Sequence, residues 1–122
     1  MKPVVWIGTS RDDLREFPDD VQNVVGYALY VAQLGGKPPD VKPLSGHHGA
    51  GVLDLVEAFD GDTYRVVYTV RFADALYVLP CFQKKSTHGI ATSRHDIDLI
   101  DARLRRAQTF HQQSAENMED ER

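Results

Sequence analysis

Thr63-Tyr64-Arg65-Val66-Val67-Tyr68-Thr69-Val70 alternates aromatic and β-branched residues with a second set that contains a single cation. Successive side chains on a strand point to opposite faces of a sheet. Tyr64, Val66, Tyr68 and Val70 therefore share one face, and Thr63, Arg65, Val67 and Thr69 share the other. The stretch reads as a buried β-strand with an arginine set into it. Such an arginine is costly unless its guanidinium meets solvent or an anion. Spacing alone offers two anions: a carboxylate on the preceding strand, Asp54 or Glu57, or a group supplied from outside.

Working outward, Asp60-Gly61 separates this strand from Val52–Phe59 and is a strong signal for a tight hairpin, because such turns demand positive φ. A third strand is expected over Ala75–Phe82, which gives a three-stranded antiparallel meander. Phe82-Gln83-Lys84-Lys85-Ser86 then brings two lysines to the end of that strand. Adjacent strand residues face opposite ways, so without a bulge only one of them shares Arg65's face, with parity favouring Lys84 slightly. A double lysine at this point also serves as an ordinary solvated strand end.

Upstream, Val4-Val5-Trp6-Ile7 closed by Gly8 suggests a first strand. Thr9 or Ser10 can cap a short helix through Phe17. Pro18 opens a second helix, in which Val21, Val24, Val25, Ala28, Leu29 and Ala32 recur at helical spacing until Gly35-Gly36. The segment from Lys37 to Gly51 reads as a connector and loop or irregular strand. Downstream, Ser93 or Thr92 caps a final helix with Ile97, Ile100, Leu104 and Ala107 on one side. Residues 1–114 form one expected domain, and 115–122 an acidic tail expected to be disordered.

Composition is that of an ordinary globular chain, 42% hydrophobic and 26% charged. No run approaches the roughly 18 apolar residues of a membrane helix, and Met1–Trp6 does not open like a signal peptide, so a cytoplasmic protein is expected. Cys81 is the only cysteine, which excludes an internal disulfide, and its apolar surroundings suggest a buried thiol. The net charge of −4 argues against generic, charge-driven nucleic-acid binding. Distribution qualifies this: the tail 115–122 sums to −3 (four acids against Arg122), whereas 60–94 sums to +2 (five cations against three aspartates). His47-His48 has no acidic or cysteine partner nearby, so no metal site and no cofactor are expected. Arg103, Arg105 and Arg106 on the last helix suggest helix-end charge complementarity or partner contact.

The Tyr64-Arg65-Val66 stretch, Phe82-Gln83-Lys84-Lys85, the upstream Lys42-Pro43-Leu44 and the order βαα, meander, helix together resemble the RelE/ParE toxin superfamily, specifically its phage-derived, HigB-like branch. The resemblance implies an α+β fold with an N-terminal strand and helical hairpin, a twisted antiparallel sheet of about four strands and a C-terminal helix. It implies a toxin of a type II toxin–antitoxin pair that cuts mRNA on the ribosome without metal. Arg65, Lys84 and Lys85 would stabilise the phosphorane, Tyr68 or His88 would move protons, and Lys42, Arg71 and Arg94 would contact RNA. The implied partners are the ribosome, mRNA and an antitoxin of the helix-turn-helix kind. Two rivals use the same fold: a ParE-like gyrase inhibitor that cuts nothing, and a catalytically inactive phage-derived binding module. The chain departs from the family pattern at Pro80, where histidine is frequent.

Overall fold

A computed structural model describes residues 1–44, 51–85 and 93–120. In chain order the elements are β1 (Val4–Trp6), α1 (Ser10–Arg15), α2 (Asp19–Gln33), β2 (Val41–Pro43), β3 (Val52–Phe59), β4 (Asp62–Thr69), β5 (Leu76–Lys85) and α3 (Arg94–Asp120). The five strands form one sheet in the order β1-β5-β4-β3-β2. The expected α+β class, helical pair, meander and closing helix are all present.

Asp60 (φ 50°) and Gly61 (φ 84°) make the two-residue turn between β3 and β4, with Phe59 opposite Asp62. Positive φ at both central residues is what a hairpin turn matching the strand twist requires. From this turn the register runs unbroken to Val52 opposite Thr69.

The sheet differs from expectation in two respects. It has five strands and is mixed, because β1 pairs parallel to β5. Val41–Pro43, expected as loop or irregular strand, forms the antiparallel edge strand β2. Proline is tolerated there because an edge strand leaves one row of N–H groups unpaired.

Alternation sends one set of side chains to each layer. Tyr64, Val66 and Tyr68 of β4 pack with Leu55, Leu76, Val78 and Cys81 beneath α2, whose Val21, Val25, Ala28, Leu29 and Ala32 face inward. Val52, Val67, Tyr77 and Leu79 point the other way and meet Ile100, Leu104 and Ala107 of α3. The sheet is thus enclosed between the α1/α2 pair and α3. Full burial of a Leu, Ile or Val side chain contributes about 1.5–3 kcal/mol, so both faces hold the fold together. Ser93 caps α3, its hydroxyl accepting from the Asp96 backbone N–H at 3.2 Å. The helix extends from Arg94 to Asp120.

β5 carries the fold's one irregularity of register among the described strands. Val66 pairs with Cys81 and Tyr68 with Val78, so Leu79 and Pro80 together oppose Val67. This is a β-bulge: one extra residue in β5, placed where proline's missing N–H does no harm to the ladder. Its effect is to invert parity. Tyr77 and Leu79 face α3 before the bulge, and Phe82 faces it afterwards.

Candidate functional site

The parity inversion assembles a cluster. Beyond the bulge Arg65 pairs in register with Phe82 and Thr63 with Lys84, so Arg65, Phe82 and Lys84 occupy one face of neighbouring strands. The Arg65 guanidinium carbon and the Lys84 ammonium nitrogen each lie 5.7 Å from the centroid of the Phe82 ring. Both are within the distance at which a ring's negative face attracts a cation. Without the extra residue the upstream register would continue, setting Cys81 opposite Arg65 and Gln83 opposite Thr63.

Each cation already has an anion. Arg65, only 4% exposed, is ion-paired with Asp54, which is 1% exposed, and its Nε donates to Asp54 Oδ1 at 3.3 Å. Asp54 sits opposite Val67, so this is a diagonal cross-strand pair on the α3 side of the sheet. Lys84 is more open, 39% exposed at its side chain, and its Nζ lies 2.6 Å from Asp96 Oδ2 in the first turn of α3. Burial raises the Asp96 pKa, but the hydrogen bonds from Lys84 and Ser93 and the Lys84 charge outweigh it, and the carboxyl is held below its ordinary value.

The remaining candidates fall at different distances from this cluster. Lys42 is exposed on β2 directly opposite Asp54, on the cluster's side of the sheet. Lys85 stands at the alternate strand position, in register with Asp62. Arg94, 89% exposed, begins α3 two residues before Asp96 and pairs with Asp98 at 3.4 Å. Arg71 is exposed beyond the far end of β4, away from Lys84. Tyr68 is on the opposite face, fully buried, with no hydrogen-bond partner for its hydroxyl among the described residues. Burial pushes its pKa to about 12. A proton-transfer role for Tyr68 does not fit that location. His88 lies outside the described residues, as does the His47-His48 pair.

Two contributors were not foreseen. Asp96 closes over Lys84, and nothing in the linear spacing ties residue 96 to residue 84. Arg103, expected to serve helix-end charge complementarity or partner contact, lies in mid-helix and fastens the bulge, its Nη1 donating to the Leu79 carbonyl at 3.0 Å and its Nη2 to Thr9 Oγ1 at 3.1 Å. Gly8 (φ +60°) makes way for it, since a Cβ there would stand 3.0 Å from Arg103 Nε. Cys81 is buried as expected, and burial, reinforced by the charge of Asp13, pushes its thiol pKa up to about 12 although Arg103 opposes the shift. No group of three or more metal-capable side chains occurs among the described residues. Among the described helices none is long and apolar enough to cross a membrane.

Residues 12–105 match the family of phage-derived Gp49-like proteins (DUF891). The chain belongs to this family. Gp49-like proteins fall within the RelE/HigB-like toxins, so membership agrees with a toxin of a toxin–antitoxin pair and implies an antitoxin partner. The matched span runs from within α1 through β5 and includes the cluster around Phe82, together with the α3 residues that cover it. Among curated proteins no match is found.

Proposed function

We propose that this Gp49-like chain is an mRNA-cleaving toxin of the HigB kind, acting on the ribosome without a metal. The observation that carries the reading is the convergence of Arg65 and Lys84 about Phe82 on one sheet face. RNA cleavage through the 2′-hydroxyl needs no nucleophile from the protein, only proton transfer and positive charge at the phosphorane. Lys84 is the cation with access to a phosphodiester. Arg65, its charge offset by Asp54, is held beneath the ring and acts as a positioning residue. A phosphate entering this site takes the place of the Asp96 carboxylate on Lys84. Lys42 and Arg94, on the rim, contact flanking phosphates. The mRNA, the ribosome that presents it and a helix-turn-helix antitoxin are the partners this reading requires, in the cytoplasm.

One observation favours the second reading, a binding module without nuclease activity: both cations have a carboxylate of their own, and the chain is acidic overall. Induction in growing bacteria, followed by primer extension on translated messages, separates the two. The nuclease reading requires breaks phased with codons that vanish in Lys84→Ala. Intact messages with an SOS response would instead identify a gyrase inhibitor, and harmless expression without ribosome association a binding module.

A further inference from the structure

The outer side of α2 is unlike any other exposed helix surface in the chain. Residues 21–36 carry no charged side chain, in a protein of which 26% is charged. The solvent side instead presents Asn23, Val24, Gly26, Tyr27, Tyr30 and Leu34, with Tyr27 65%, Tyr30 48% and Leu34 59% exposed. Val24, Tyr27, Val31 and Leu34 recur at three- and four-residue steps, the spacing of a seam between two helices. Gly26 is exposed in mid-helix with open space around it. Glycine is a poor helix residue, and its use there suits the close approach of another backbone.

We propose that two copies of this chain associate through α2, antiparallel about a two-fold axis between Tyr27 and Tyr30. Several features choose a second copy as occupant. Such an axis sets Tyr27 opposite Tyr30, Gly26 opposite Val31 and Asn23 opposite Leu34. At the Asn23 end, α2 and the chain around Pro39 and Leu55 enclose an almost wholly apolar cleft of about 280 Å³, and the exposed Leu34 of the second copy is directed there. The same axis brings the N-terminal end of one α2, with the exposed Asp20, to the C-terminal end of the other, just past which the chain carries the exposed Lys37, twice by symmetry. A parallel arrangement would instead bring the Asp19-Asp20 pairs together. Between these charged ends the helix face is neutral, and Asp40 on the wall of the cleft is the charge that Leu34 of the second copy would approach. One helix pair falls short of the roughly 800 Å² per partner of a standard interface, and a dimer in the micromolar range is expected.

Sedimentation velocity on the full chain, over a micromolar to submillimolar range, tests this. The wild type is expected to pass from monomer to dimer as concentration rises, and Tyr30→Asp to remain monomeric while its far-UV circular dichroism is unchanged. Lys37→Asp should weaken association several-fold, and adding Asp20→Lys should restore it. A wild type that is monomeric throughout would overturn the proposal. So would a dimer that tolerates Tyr30→Asp, or a Lys37→Asp defect that the charge swap does not recover. None of these outcomes depends on whether the chain cleaves RNA.

Discussion

The two faces of the sheet are built to opposite rules. Beneath α1 and α2 the buried side chains are aliphatic, aromatic or thiol except for Ser10, whose hydroxyl donates to the Val78 carbonyl at 3.4 Å; Leu55, Val66, Leu76 and Val78 are nearly inaccessible and the Tyr68 hydroxyl is unbonded among the described residues. Beneath α3, alongside Val52, Val67 and Leu79, the same strands bury a full ion pair and hold a lysine closed by a helix carboxylate. A buried ion pair rarely stabilises a fold more than apolar residues of equal volume would, because desolvation offsets most of the attraction. The polar face is therefore the one shaped by something other than stability, and its charges are the ones to which chemistry is assigned.

That contrast can be broken most severely at Asp54. Asp54→Ala takes the carboxylate from a buried guanidinium and is expected to cost about 3–5 kcal/mol in urea unfolding, whereas Asp54→Leu combined with Arg65→Met should be close to neutral. For the same reason Arg65→Ala is a poor probe of function, since lost activity and lost fold would coincide. Next comes Arg103→Ala, which strips the Leu79 carbonyl of its side-chain donor; a loss of about 1–3 kcal/mol is expected. Arg103→Lys should rescue little, because one ammonium cannot reproduce the guanidinium's two-sided reach to Leu79 and Thr9.

On the apolar face the expected effect reverses sign. Tyr68→Phe removes a buried hydroxyl without a partner, so unfolding experiments should find stability unchanged or raised by up to about 1 kcal/mol, with toxicity intact. The smallest effect concerns acid. Asp96 has a depressed pKa in the folded chain, so its contribution is present above the unfolded value, about 4, and is lost as pH falls through the folded value. The Lys84 contact is partly exposed and worth less than about 1 kcal/mol. Asp96→Asn should therefore lower stability slightly at neutral pH and have no such effect once acid has protonated the folded-state carboxyl, while freeing Lys84.

Much of this was legible in the sequence. The Asp60-Gly61 turn, the alternation through Tyr64–Val70 and the helical spacing of Val21–Ala32 are local signals, and each produced the element expected. Asp54 was also foreseen as a possible partner of Arg65. The parallel pairing of β1 with β5 was not, because it joins segments some seventy residues apart with no mark in either. The bulge was missed for a different reason. Proline at position 80 lacks a backbone donor, but whether the strand ended, bent or gained a residue there depended on contacts with Arg103 and Gly8, which only the fold brings together.

The extra residue at Leu79-Pro80 puts Lys84 at a β5 position on Arg65's strand face, opposite Thr63, and leaves Lys85 at the alternate position, opposite Asp62. Paired toxicity and primer-extension assays on Lys84→Ala and Lys85→Ala test directly whether cleavage follows that placement. Loss of cleavage by a hundredfold or more in Lys84→Ala, the scale of removing one preorganised charge at a reacting phosphate, with Lys85→Ala close to wild type, is the outcome expected. Loss in Lys85→Ala with Lys84→Ala active would contradict it.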